Sequence, residues 1–320
     1  MENLDFIWKR LNFFQSADTT QRFLKNGYHN LGVNDAELKS YDNCYPFMYY
    51  LEQGELFYNQ AALSPFSIKP ILLFYGLVHL LKACILTTDP FYPSSTSVLA
   101  HGVSARKRKK RQYYFYHDEI KIQKYGLCPH FSEQMFHVKH LEGEKFIMGE
   151  LFSLVAELDD AFLFIKGKSN MIVLQRSNTN LITIPREASD LYHMDDKRLK
   201  QYLNDKYKGG QISWQGENDA EQLTFERKEA IKPPFRENIF KQVTCLPARL
   251  HSNNTLPDMI IHYLILYNLS MIARYETEWW FELIKTTPNS DYPFIKTFLD
   301  ITEKKGPFLV YQYLMQGQPL

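Results

Sequence analysis

The chain has 320 residues, with 37 Lys+Arg against 36 Asp+Glu and a formal net charge of +1. That balance excludes a protein whose main business is coating nucleic acid or an acidic membrane surface, so any basic character has to be local. Hydrophobic residues at 45% and charged residues at 23% exclude global disorder, and 23 Phe with 21 Tyr predict a core rich in rings whose hydroxyls need partners.

The first 63 residues read as short helices. Asp18 caps one that stops at Asn26-Gly27, Asn34-Asp35 opens a second, and Phe47–Leu63 is a third that Gly54 weakens. Pro70, at a first-turn position, opens the most apolar stretch, Ile71–Leu86. Its 16 residues include His79 and Lys82, too short and too polar for a membrane span, so a buried helix is expected. After a Pro/Ser/Thr-rich loop from Thr87 to Ala100 the grammar changes to strands and hairpins: Gln112–His117, Ile120–Lys124, Ala161–Lys166 and Met171–Arg176, separated by turn signals. A helix over Arg186–Tyr207 follows, then a hairpin from Gln211–Trp214 and Gln222–Arg227, then the punctuation of Pro233-Pro234. Pro257-Asp258 starts a long apolar helix from Met259 to about Ile284, and Tyr292–Leu314 reads as a helix broken at Lys304-Lys305-Gly306-Pro307.

The expected fold class is α+β, mostly α-helical: a helical bundle from the N- and C-terminal segments with a β-rich middle insertion. The expected parts are 1–100, helical; 101–230, β-rich with one helix; and 231–320, helical and packed on 1–100. Within the bundle Ile71–Leu86 and Met259–Met271 should pack together, because neither is stable with its apolar surface in water. The start, with Glu2 and Asp5 and no apolar run, does not read as a secretory signal, so a cytoplasmic protein is expected. Cys44, Cys84, Cys128 and Cys245 are widely spaced and read as reduced thiols.

Motifs for the common nucleotide, zinc-protease, hydrolase and calcium sites are absent from the sequence, so an enzyme would need a site built from dispersed residues; no cofactor is expected. The strongest local feature is Arg106-Lys107-Arg108-Lys109-Lys110-Arg111, followed at once by Tyr113, Tyr114, Phe115 and Tyr116. Packed charge beside rings suits phosphate contact and base stacking, and equally a solvated loop leading into a strand. Arg111 and His117 fit the Arg-x(4–6)-His spacing of HEPN-type ribonucleases, in which a histidine and an arginine cleave RNA without metal. That spacing arises easily by chance, and a strand is the wrong element for it. Cys128, His130, His137 and His140 lack an established zinc-finger spacing and read as loop residues, not metal ligands. On the two most apolar helices, His79 with Lys82, and His262, Ser270 and Arg274 in steps of four, put polar groups on buried faces. Either these satisfy one another, with Arg274 on Glu276 or Glu278, or they line a pocket for an anionic ligand.

Several segments together resemble the YaaC-like proteins of Bacillus-type bacteria: Ser64-Pro-Phe-Ser-Ile-Lys-Pro with the helix after it, His101-Gly-Val-Ser-Ala-Arg-Lys-Arg-Lys-Lys, Lys121-Ile-Gln-Lys-Tyr-Gly-Leu, and His262-Tyr-Leu through Ser270-Met-Ile-Ala-Arg-Tyr-Glu. The resemblance spans nearly the whole chain and carries no catalytic residues. Genes of that family typically neighbour the one for IMP dehydrogenase, which by association implies a role in purine metabolism, and its helical parts are loosely HEPN-like. The expectation is a non-catalytic binding or regulatory protein with a protein partner such as IMP dehydrogenase. The alternative is an RNA- or nucleotide-binding protein, or a metal-independent endoribonuclease, using Arg106–Arg111.

Overall fold

The computed structural model of the chain describes residues 4–105, 113–139, 141–177, 180–207, 209, 212–215, 223–226 and 231–315. The chain divides into two compact units: an inserted one, Gly149–Ile261, and a split one, Glu2–Met148 together with His262–Leu320. Among the described residues the fold is α+β and mostly helical, with twelve α-helices and three small antiparallel sheets.

The split unit opens with α1 (Leu4–Leu11) and α2 (Ala17–Asn30), the latter started by Ser16, whose side chain accepts the Thr19 N–H. One helix, α3 (Ala36–Leu63), replaces the two that the sequence suggests and runs straight through Pro46. Then comes α4 (Lys69–Leu86), with Pro70 in its first turn. Gly54 lets α3 and α4 approach closely: a Cβ there would sit 2.5 Å from the Leu80 Cδ2. By length and composition α4 could cross a membrane, yet 67% of it is buried and it packs on α3 and on a C-terminal helix given below.

Three strands follow, β1 (Val103–Ala105), β2 (Glu119–Ile122) and, after α5 (Leu127–Phe136), β3 (Lys145–Ile147), in one sheet of order β1-β2-β3. The stretch expected as a strand at Gln112–His117 is instead, where described, an irregular pair, Tyr113 and an extended Tyr114, and a 3-10 turn, Phe115–His117. The Asp291 carboxylate takes the Phe115 N–H at 2.7 Å and the Tyr116 N–H at 3.3 Å, bonds that a strand would have spent on a ladder.

The inserted unit carries α6 (Met148–Ser153), α7 (Asp159–Lys166), β4 (Met171–Val173), β5 (Gln175–Arg176), β6 (Leu181–Ile184), α8 (Glu187–Tyr192), α9 (Asp196–Lys206), β7 (Trp214–Gln215), β8 (Leu223–Glu226), β9 (Arg236–Asn238) and β10 (Val243–Pro247). Its sheets have the orders β4-β10-β9 and β5-β6-β8-β7. Ala161–Lys166 is thus helical, with Asp159 and Asp160 in the first turn and Gly167 leaving it at φ 70°. The single helix expected over Arg186–Tyr207 breaks at His193, which is left-handed, and Asp195 recaps the chain by accepting the Arg198 N–H at 2.8 Å. The hairpin read at Trp214 forms, with Trp214 opposite Phe225. A core of Ile182, Ile184, Leu199, Leu203, Phe225, Phe235 and Leu246 closes this unit.

The chain returns through α10 (Asp258–Tyr275), α11 (Thr277–Thr286) and α12 (Asp291–Met315). The long apolar helix therefore ends at Tyr275, and the break expected at Lys304–Pro307 is absent: α12 passes through Pro307 with Ile301, Thr302, Gly306 and Val310 buried. Burial along that face outweighs the one backbone bond that proline forgoes. α12 packs on α4 and α1, and Phe74 of α4 meets Tyr263 and Tyr267 of α10 at ring distances of 5.3 and 5.7 Å. Residues 101–148, expected in the middle part, lie in the split unit because Tyr263 donates to the His101 carbonyl and Asn268 to Asp118. Residues 231–261 lie in the inserted unit because β10 pairs with both β4 and β9.

Candidate functional site

The helical spacing of α4 puts Tyr75, His79 and Lys82 on one face, four and three residues apart. Phe57 of α3 stacks on both rings of that face, 5.6 Å from His79 at 15° and 6.1 Å from Tyr75 at 29°. Two turns back along α3, Tyr50 lies 6.1 Å from the His79 ring and carries the Lys82 ammonium 5.5 Å from its centroid. At the other end Arg274, in the last turn of α10, donates to the Tyr75 hydroxyl at 3.2 Å and to its own helix at the Ser270 carbonyl, 3.1 Å. His101, just before β1, turns its ring edge-on to Tyr75 and Tyr267, each at 5.9 Å.

The electrostatics of this face are one-sided. Burial holds His79, His101 and Lys82 below their ordinary ranges; Lys82 depresses His79 further, and Arg274 and Lys82 depress His101. Among the described residues no carboxylate pairs with Lys82 or Arg274, and Glu276 and Glu278 are not the partners of Arg274 that the sequence suggests. Two buried polar atoms of the neighbourhood, His79 Nδ1 and the Tyr92 hydroxyl, have no hydrogen-bond partner among the described residues. Four cationic or cation-capable groups on a tyrosine-lined face, with no carboxylate paired to Lys82 or Arg274 among the described residues, attract an anion with an aromatic portion.

The structure thus brings His79, Lys82 and Arg274 to one face and takes the other expected members elsewhere. His262 is buried, hydrogen-bonded at Nδ1 to Thr302 Oγ1 at 2.8 Å and stacked on Phe298 at 5.3 Å. Ser270 is buried and donates to the Tyr267 carbonyl at 2.8 Å. Both are satisfied in the core and do not line the face. Arg106, Lys107, Arg108, Lys109, Lys110 and Arg111 lie outside the described residues, as does His140. The residues after the basic run are firmly held: the Tyr113 hydroxyl donates to Asp118 at 2.5 Å, and its ring meets Trp279 edge-on at 4.5 Å. His117 is exposed at the end of the 3-10 turn, near the rings of Tyr114 and Tyr116. Cys128 is buried in α5, and burial pushes its thiol well up, which disfavours the thiolate that zinc requires. His130 is spent on Asp89 at 3.0 Å, and no group of three metal-ligating side chains occurs among the described residues.

Sequence reasoning passes over Tyr50, Phe57, Tyr75, Tyr92 and His101. Only the spacing Tyr75-His79-Lys82 offers a local signal for any of them; the others come from α3 and from the segment between α4 and β1.

A family model described as YaaC-like Protein matches residues 12–314. No curated protein and no solved structure matches the chain.

Proposed function

The chain belongs to the YaaC-like protein family, and from that premise we propose that it is a non-catalytic binding and regulatory protein of purine nucleotide metabolism, working in the cytoplasm through a protein partner such as IMP dehydrogenase. The observation behind the binding half is the face of His79, Lys82, His101 and Arg274, cation-rich, tyrosine-lined and without a carboxylate counter-ion for Lys82 or Arg274 among the described residues. The purine link rests on the family resemblance given above. The test is co-purification of IMP dehydrogenase with the full chain in the presence and absence of GMP. Retention that depends on the nucleotide supports the reading; no retention under either condition, with IMP dehydrogenase activity unchanged by the added chain, overturns it.

A second reading, an RNA-binding or RNA-cleaving HEPN-like protein using Arg106–Arg111 and His117, draws support from the exposure of His117 beside the rings of Tyr114 and Tyr116. RNA cleavage in EDTA that His117→Ala and Arg111→Ala each remove would establish it. No cleavage by the wild type would end it.

A further inference from the structure

The polar groups around Tyr50 narrow the chemistry of the ligand; this step rests on the binding reading just given. Lys82 holds its ammonium over the Tyr50 ring and the His79 ring neighbours it, while Tyr92, in the loop after α4, lies within electrostatic range of the Tyr50 hydroxyl and packs its ring 5.5 Å from that of His130. Tyr92 is only 5% exposed, and its hydroxyl has no partner among the described residues; the same holds for the buried His79 Nδ1. A buried hydroxyl and a buried ring nitrogen without partners each carry a desolvation cost, which an oxygen-rich ligand relieves.

We propose that Lys82, His79 and Tyr92 form a phosphoryl-binding subsite that takes the phosphate of a phosphomonoester bearing an aromatic ring system, with a nucleoside monophosphate as the ligand class. Lys82 supplies a compact point charge with three donors, which suits phosphate better than the bidentate geometry of a carboxylate. Tyr92 stays protonated and so remains a donor, because burial, and after it the nearby Asp89 carboxylate, push its hydroxyl well up. Asp89 does not repel the ligand strongly, since its carboxylate is engaged by His130 Nε2 and the Phe91 N–H, each at 3.0 Å. A dianionic phosphate reverses the charge environment that Lys82 gives His79, so that His79 gains a proton on binding and its Nδ1 becomes a donor. From Lys82 to Tyr75 the helix rises about 10 Å, so inorganic phosphate leaves the Tyr75–Arg274 end free, and a ligand bearing a ring system reaches it.

The experiment is calorimetric titration of the full chain with inorganic phosphate, GMP and guanosine, for the wild type, Lys82→Gln, Tyr92→Phe and, as a cation control, the exposed Lys124→Gln. The expected result is that GMP binds at least about tenfold more tightly than guanosine. Lys82→Gln should cost about tenfold in GMP affinity and leave guanosine unchanged, with Tyr92→Phe severalfold weaker and Lys124→Gln at wild type. In carbon-13 histidine spectra, assigned with His79→Gln, the His79 pKa should rise on saturation with GMP; this readout stands even if Tyr92→Phe fails to fold. Wild-type protein that binds neither phosphate nor GMP, or a Lys82→Gln variant that binds GMP as the wild type does, overturns the subsite. Capture of IMP dehydrogenase is read separately: GMP binding without capture removes the partner and keeps the subsite, and capture without GMP binding does the reverse.

Discussion

Asp118 and Lys82 are charged groups drawn into the same split unit, and their surroundings differ in kind. Asp118 is 3% exposed and accepts from the Tyr113 hydroxyl, the Asn268 amide at 2.8 Å and the Glu119 N–H at 3.0 Å. Asp291 repeats the pattern on the N–H groups of Phe115 and Tyr116. Around Lys82, His79 and Arg274 are cationic or cation-capable, the Asp89 carboxylate near Tyr92 is engaged by His130 and the Phe91 N–H, and two buried polar atoms nearby are without partners among the described residues. A cluster that satisfies itself holds the chain in place. One that does not is stable only because it is half open to water, and it gains when an anion arrives.

The largest effect should come from breaking the satisfied cluster. Asp118→Ala strands three donors at once and is expected to destabilise the fold by about 3 kcal/mol, measured by urea unfolding. A loss under about 1 kcal/mol would mean that water reaches Tyr113 and Asn268, and the contrast between the clusters would fail.

Next in size is Gly54→Ala, which probes the α3–α4 contact beneath the cationic face. Alanine is the better helix former by about 1 kcal/mol, yet its Cβ would press on Leu80, which is fully buried and has nowhere to move. A net destabilisation of about 1–2 kcal/mol is expected, together with weaker GMP binding as Phe57 shifts against His79. Unchanged or raised stability would show that α3 and α4 slide apart without cost.

Gly54 also shows why some of the fold was legible in the sequence and some was not. Read locally, a glycine in a helix is a weakness, and it argued against a long α3; its purpose lies on Leu80, 26 residues away. Caps and first-turn prolines act locally, so the start of α4 can be read from Pro70, and the pairing at Trp214 can be read from the two short segments Gln211–Trp214 and Gln222–Arg227. At Ala161–Lys166 the rings and Ile165 mimic a strand, while Asp159, Asp160 and Gly167 start and stop a helix, α7. The turn at Phe115–His117 depends on Asp291, far along the chain, and could not be read from the sequence around it. For the site, His79, Lys82 and Arg274 stood out as polar groups on apolar helices. His262 and Ser270 had the same pattern but found partners in Thr302 and the Tyr267 carbonyl, and only packing separates the two outcomes.

A smaller effect sharpens the comparison from the cationic side. Lys82→Gln removes a half-buried charge that burial disfavours, so its unfolding free energy should stay within about 0.5 kcal/mol of wild type while GMP affinity falls. A stability loss as large as that of Asp118→Ala would make Lys82 a structural residue.

The smallest effect is a dependence on pH, and its sign follows from His79 and His101. Both have folded pKa values below the ordinary histidine value of about 6.5, so in the window beneath that value the unfolded chain binds more protons than the folded one. Stability is therefore fully present above about pH 7 and declines as pH falls through the histidine range. The charged groups facing these rings are Lys82 and Arg274, which keep their sign throughout, while Tyr50, Tyr92 and Tyr267 stay neutral. Asp89 contributes separately: its pKa is lowered chiefly by the His130 hydrogen bond, so its share is lost only at more acidic pH, through the carboxylate range. GMP should reverse the histidine slope, because a bound phosphate favours protonated His79; its affinity should climb as pH falls from about 7.5 toward 6, where the phosphate itself begins to lose its second charge. Unfolding free energies at several pH values, with and without saturating GMP, check this, and His79→Gln should flatten both curves. A pH slope in His79→Gln equal to that of wild type would move the effect to His101 or another histidine and detach it from the ligand.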